Sequence, residues 1–513
     1  MKKYILIVSS LMCLTFTNSC SESDLDLEPS SLDNIDKPLT EEKIQMLLSG
    51  AYFNMSSTSG YGTDIMIGGD LLGDNLFVST TNASYLFTNN KTYSPNQGDL
   101  SFYGLMYNVI VACNTAINST VPTNANVERI KAEAKILRGY AYFTLVNYYS
   151  PAPTSGINQE YGVPIVLENY NSLAQPARST VAQVYEQIIS DLKAGVNGAN
   201  EVADSKIFLT KTVAKLLLSK VYLTRRAEGD AALALQYSNE VINNSPGSYA
   251  RINAKALTDP QKPFNVSSNP YMYATYFNGM SDAASENQAE TVWELDLDDN
   301  ANIVTGVGSN KALPLYYNRV GTGKSLLFNK AFYDSFGKAP VSAAEIANDD
   351  VRRGAPTLGL LVSSGVPTTD TPRGYWTTKY PITTSDGTKQ NLYFRNIKVL
   401  RFSDAILNRI EALRLLGQNS LALTELNAFA LSRQGKTYTG ANLLNDILTE
   451  RAKEFYGEGQ RFLDLKRYNQ PIIKVTNCTS NCNVPSNDKL FVLPVSQSSI
   501  NANPSLTQYP GYN

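Results

Sequence analysis

The chain has 513 residues, 43% of them hydrophobic and 18% charged, with a net charge of −2. This is the composition of a folded chain with a large core, and its balanced charge offers no basic patch for nucleic acid. Histidine is absent, which excludes Ser-His-Asp and Cys-His nucleophiles and removes the commonest transition-metal ligand.

The first residues read as an export signal. Lys2 and Lys3 precede an apolar stretch over 4–16 that is too short to span a bilayer. Thr17-Asn18-Ser19-Cys20 follows, with a small residue before a cysteine as a lipoprotein signal peptidase requires, although Thr17 replaces the usual leucine. The sequence thus predicts a signal peptide over 1–19, lipid attachment at Cys20 and a flexible acidic tether over 20–38. Plain secretion is the alternative. Cys113, in an apolar helical setting, reads as a buried thiol. Cys478 and Cys482, in a polar stretch of an exported chain, suit a local disulfide better than a metal site.

Apolar spacings of three and four predict helices over 40–53, 102–117, 128–149, 180–196, 210–226 and 230–243, then 403–416 and 420–433. Paired helices of this length, with small residues on their packing faces, resemble tetratricopeptide-type units, and about four pairs are countable. Residues 56–100 show no helical period and are rich in Gly, Asn, Ser and Thr. Tyr61, Asp64, Asp70, Asp74, Asn75, Tyr85, Phe87 and Tyr93 are scattered through them. A loop that long in a helical protein is usually functional. Rings beside Asp and Asn suit a sugar, stacking on its C–H face while the polar groups bind hydroxyls; the competing reading is that the rings pin the loop to the body.

Between 249 and 397 the helical period weakens and Gly, Pro, Thr and Asn increase. Glu290 to Leu297 alternates like a strand, with Trp293 as a core residue. Asp296-x-Asp298-x-Asn300 begins like a calcium loop, but Ala301 and Val307 stand where Gly and Glu are needed. Tyr316, Tyr317, Tyr375 and Trp376 lie in loop-like context. The candidate ligand contacts are therefore Tyr61, Asp74, Asn75, Tyr85, Tyr316, Tyr317, Tyr375 and Trp376. No catalytic residue, metal or cofactor is expected.

Residues 445–469 (NDILTERAKEFYGEGQRFLDLKRYN) crowd eight charges around a glycine corner. Two helices meeting there would set Arg451 and Glu454 against Arg461 and Asp464 as a structural clamp. Glu454 and Asp464 are also the pair an all-α glycosidase would use, a reading that the clamp outweighs.

The pattern Glu450-Arg451-x-x-Glu454-x-x-x-Glu458-Gly459-x-Arg461-x-x-Asp464-Leu465-x-Arg467 resembles the SusD/RagB family. So do Glu133-x-x-x-Leu137-Arg138, Gly162-Val163-Pro164, Arg401-x-x-Asp404 with Glu411-Ala412, Leu426-Asn427 with Arg433, and the closing Asn503-Pro504 and Gln508-Tyr509-Pro510-Gly511-Tyr512. The resemblance covers nearly all of the chain after the signal. It implies a mostly α fold: a tetratricopeptide-like scaffold over 39–248 and 398–470, an irregular ligand-binding lobe over 249–397 and a tail over 471–513. It further implies a lipid-anchored protein on the outer membrane's outer face. Such a protein captures oligosaccharides, in some members peptides, and passes them to a SusC-like TonB-dependent transporter without catalysis. The motif charges are scaffold positions in that family and are not carried over as ligand contacts.

Overall fold

Burial at three- and four-residue spacing defines the longer helices, and polar side chains cap several of them. Helix α1 (Glu41–Ser56) buries Ile44, Leu48, Ala51 and Met55. After it come α2 (Asp64–Leu71), strand β1 (Leu76–Val78) and α3 (Leu86–Asn90), all inside the stretch expected to be loop. Helix α4 (Phe102–Ile117) is followed by α5 (Ala125–Tyr149), which starts where the Asn124 side chain accepts from the Asn126 and Val127 amides. Thr180 and Gln183 form a reciprocal capping box at α6 (Val181–Gly198), and Thr210 caps α7 (Lys211–Arg225). Helix α8 (Asp230–Asn244) follows Gly229, whose φ of +83° makes the turn. In this computed structural model the described residues are 39–80, 84–245, 249–252, 273, 276–277, 285–297, 312–318, 325–337, 349–353, 360–363, 374–380 and 395–512. The predicted signal peptide, Cys20, the tether and the calcium-like Asp298 and Asn300 lie outside them.

The second half supplies β2 (Thr291–Leu295), α9 (Leu313–Tyr317), β3 (Leu326–Phe328), α10 (Lys330–Ser335), β4 (Leu361–Ser363), β5 (Tyr375–Thr377) and β6 (Ile397–Arg401). Helices α11 (Phe402–Leu415), α12 (Asn419–Ser432), α13 (Leu443–Phe455) and α14 (Arg461–Arg467) come next. The hairpin β7 (Ile472–Ile473) and β8 (Asn483–Val484) and the short α15 (Gln497–Ala502) close the chain. The helices stack in sequence order: α1 on α4, then α4, α5, α6, α7 and α8 each on the next, with α11 against α8 and α12 and α13 beyond it. This is the array of helix pairs expected. A buried fork from Arg138 to Asp191, at 2.8 and 2.6 Å, fixes α5 to α6. Asn408 donates to Ser219 at 2.8 Å, tying α11 to α7 across the long intervening stretch.

Strands β1, β3, β5 and β4 form one antiparallel sheet in that order, and β2 pairs with β6. Trp293 on β2 is fully buried, as expected.

The charged corner is real, but its pairing differs from expectation. Arg451 meets Asp464 at 2.9 Å, and Asp464 also takes Arg467 at 2.7 Å. Glu454 instead receives Arg401 at 2.8 Å, Arg433 at 2.9 Å and Arg352 at 3.5 Å. Arg461 leaves the corner for Asp74, at 2.7 and 2.8 Å. The cause is helical phase: Glu450 and Glu454, four apart, share a face of α13, while Arg451 lies about 100° round from Glu450. One face meets the irregular lobe, the other α14. Glu450 takes Arg352 at 2.6 Å, and Glu458 takes Arg401 at 2.8 Å and Lys379 at 2.7 Å.

Gly457 and Gly459 turn the corner in the left-handed region, at φ +75° and +71°. Helix α2 lies directly on this turn. A Cβ on Gly69 would sit 1.9 Å from the Gly459 carbonyl oxygen. Gly69→Ala should therefore force backbone apart and lower stability by about 3 kcal/mol or more, read as a lower denaturant midpoint. Gly50→Ala, on α1 with nothing within 4 Å of a new Cβ, should hold or raise stability by roughly 0.5–1 kcal/mol. Equal midpoints for the two variants would contradict this packing.

Candidate functional site

Three segments distant in sequence meet at the four-stranded sheet. Register pairs Leu76 with Phe328 and Phe328 with Tyr375, so these three share one face. The next line, Phe77, Leu327 and Trp376, points to the other face and forms a closed apolar cluster. Asn75 sits at the end of β1, where its carbonyl accepts the Asn329 amide at 2.9 Å. The Asn329 side chain donates to the Asp74 carbonyl at 2.8 Å. Asp74, Asn75 and Tyr375 are half-buried, and the Tyr375 ring stacks on Tyr333 at 3.7 Å.

Tyr85 precedes α3 in the left-handed region, at φ 60°, a strained place for a bulky residue. Its hydroxyl donates to Asp64 at 2.8 Å, and its ring meets Tyr316 edge-on at 5.3 Å. Both rings are almost covered, but Phe87, two residues on, is 37% exposed beside the exposed Leu86. Phe87 was visible among the loop aromatics but not among the candidates. Its exposure depends on how α3 sits, which no local pattern shows.

Five candidate rings, Tyr85, Tyr316, Trp376, Tyr317 and Tyr61, are buried packing residues, correcting the expectation that they offer ring faces to a ligand. Trp376 is 1% exposed because strand alternation turns it inward once Tyr375 faces the other way. Tyr317 is fully buried, stacked on Phe328 at 6.2 Å with its hydroxyl 3.4 Å from Asp70. Tyr61 is buried against Tyr140, at 5.4 Å, and bonds Thr144 at 2.9 Å. The Asp74 carboxylate is engaged by Arg461.

The tail holds α3 in place. The Asn89 side chain donates to the Asn477 carbonyl at 2.9 Å, and Lys474 donates to Asn89 Oδ1 at 3.0 Å. Asn477 donates to the Val78 carbonyl, and Asn481 to the Asn90 and Lys91 carbonyls at 3.2 and 3.0 Å. Cys478 and Cys482 form a disulfide within this loop, and Cys113 is a buried free thiol. The Lys91 Nζ is buried without a hydrogen-bond partner, and burial lowers its pKa to about 7.

The two carboxylates of the corner do not form an acid–base pair. Despite burial, three guanidinium groups around Glu454 hold it well below the usual carboxylate range, and Arg451 and Arg467 do the same for Asp464. A glycosidase acid needs the opposite shift. Among the described residues no cluster of three or more acidic, cysteine or histidine side chains is placed to hold a metal, and no helix is long and apolar enough to cross a membrane.

Residues 24–223 match a family described as "Starch-binding associating with outer membrane", and residues 344–512 match the SusD family. The SusD-like protein P2 of Formosa agariphila is 26% identical over 278 residues, covering 52% of this chain and 50% of its own. The chain thus spans about half the length of that relative. A SusD superfamily protein from Bacteroides thetaiotaomicron superposes with a TM-score of 0.74 at 23% identity, over 92% of this chain and 100% of its own. A protein from Bacteroides vulgatus described as a putative sugar binding protein gives 0.71 at 24%, over 92% and 98%. These likenesses establish the fold.

Asp70 gives the site a pH signature. It is buried between the glycine corner and Tyr317, and accepts the Gly459 amide at 3.3 Å. Desolvation raises its pKa from 3.8 to about 7. A carboxyl raised in the folded state contributes stability that is fully present below the unfolded value and lost as pH rises through the folded one. The fold should therefore lose stability between about pH 4 and 7 from this group, and Asp70→Asn, neutral throughout, should flatten the slope of midpoint against pH across that window. An unchanged slope would show that Asp70 titrates normally.

Proposed function

Since the chain belongs to the SusD family, we propose that it is a surface glycan-binding lipoprotein, anchored to the outer membrane through Cys20, that captures oligosaccharides and passes them to a SusC-like TonB-dependent transporter. The observation that most supports capture is the half-buried group Asp74, Asn75 and Tyr375 at the Asn75–Asn329 end of the four-stranded sheet, with the exposed Phe87 on α3 at the opposite, Val78 end, where Asn89 accepts the Val78 amide at 3.3 Å. Ring faces supply stacking area, and the few polar groups fix orientation. The family's members are binding proteins, and here the Glu454 and Asp464 carboxylates are tied up as permanent anions.

Calorimetry on the chain lacking residues 1–20, against a panel of neutral oligosaccharides, tests the reading. Phe87→Ala and Tyr375→Ala should each cost about 1 kcal/mol of affinity, roughly fivefold, with the fold retained. Trp376→Ala should instead lower stability by about 3–5 kcal/mol, because it empties a closed apolar cluster. Unaltered affinity in both the phenylalanine and the tyrosine variant would move the ligand elsewhere.

A further inference from the structure

A second concave feature lies apart from that surface. Residues 93–104 and the segment entering α15 enclose a cleft of about 240 Å³, and none of Asp74, Asn75, Tyr85, Tyr316 or Tyr375 lines it. That is the space of about eight waters at ~30 Å³ each, enough for a single sugar ring.

Its walls are built rather than incidental. Ser94 and Gln97 exchange backbone hydrogen bonds at 2.7 and 3.1 Å, closing a tight turn. The Gln497 amide donates to the Pro95 carbonyl at 2.8 Å, locking that turn to α15. Tyr149 closes one side, with Tyr103 edge-on to it at 4.9 Å. Hydroxyl and amide groups line the rim, with Asp99 as the sole charge among the lining residues, fixed by the Thr88 amide at 2.7 Å.

Aromatic walls, a hydroxyl-rich rim and one carboxylate, with no cation among the lining residues, are a specific combination. A carboxylate accepts hydrogen bonds from sugar hydroxyls, whereas a uronate or sulfate would meet like charge at the lining; the nearby Arg178 is engaged behind the wall with the Tyr149 and Gly162 carbonyls. We infer that this cleft is a subsite for one ring of a neutral oligosaccharide, separate from the surface around Tyr375. The inference rests on the glycan-binding reading and adds to it a second foothold and a charge class. Two footholds on one chain strengthen capture by raising the effective concentration at the second.

The test uses a plug. Gly104 lines the cleft from α4, and a Cβ there meets nothing within 4 Å, so Gly104→Phe fills the space without a clash at the backbone. Asp99→Asn keeps the shape and removes the charge. Calorimetry on the chain lacking residues 1–20 would use maltohexaose, cellohexaose, xylohexaose and mannohexaose, with hexagalacturonate as the anionic probe. Expected are binding of at least one neutral hexaose, a tenfold or greater loss in Gly104→Phe, a smaller loss in Asp99→Asn, thermal midpoints no lower than the parent, and no binding of hexagalacturonate. Parent-like affinity in both variants, with Tyr375→Ala still weakening the ligand, would overturn the cleft and leave the glycan reading standing. Hexagalacturonate binding that Gly104→Phe abolishes would overturn the charge class. Absence of binding to every probe by the parent would remove the glycan reading and this inference together.

Discussion

Glu454 is the group on which the arrangement of the second half depends. It is fully buried, and a buried carboxylate is tolerated only when paired and hydrogen-bonded. Its partners come from three separate segments, at Arg352, Arg401 and Arg433. Glu290 and Glu458 extend the cluster through Arg401, and Lys379 joins at Glu458 while also donating to the Glu454 and Tyr456 carbonyls at 3.0 Å. Hydrophobic contact would accept many arrangements of a loop-rich lobe. A buried charge accepts few, because each misplacement leaves an ion unpaired. The irregular lobe is thereby given its position by electrostatics where secondary structure is too sparse to do it.

That constraint passes forward through the glycine corner. The turn after α13 aims the Gly459 amide at Asp70 and sends Arg461 to Asp74. Both acids flank the C-terminal end of α2, and Asp74 leads directly into β1. The charged motif near the C-terminus is therefore not remote from the candidate ligand surface. It sets the seat of the strand on which that surface is laid out. Scaffold and site are two ends of one chain of contacts: Glu454, the corner, α2, β1, Tyr375.

The scaffold was legible because its signals are local. Apolar residues at spacings of three and four placed α5, α6 and α7 within a few residues, and the glycines at 457 and 459 marked the corner. Helix α2 was not legible: every residue of DIMIGGDL is buried, so there is no polar face to contrast with and no period to detect. Trp376 was misplaced because alternation over a three-residue strand leaves too little pattern to tell Tyr375 from its neighbour. The Arg461–Asp74 pair spans 387 residues, and nothing near either residue announces the other. Family resemblance supplied the architecture but not the surface, since motif positions hold the scaffold.

The disulfide between Cys478 and Cys482 is separated by only four positions. So small a ring removes little freedom from the unfolded chain, and its effect is local stiffness. The stiffened loop holds β1 through the Asn477 side chain and the end of α3 through that of Asn481, while Arg461 holds Asp74. The part of the surface that the first hundred residues supply is thus completed by residues 461–481. During synthesis and export it waits for the end of the chain, so a truncated product can carry every predicted ring and still have no place to bind.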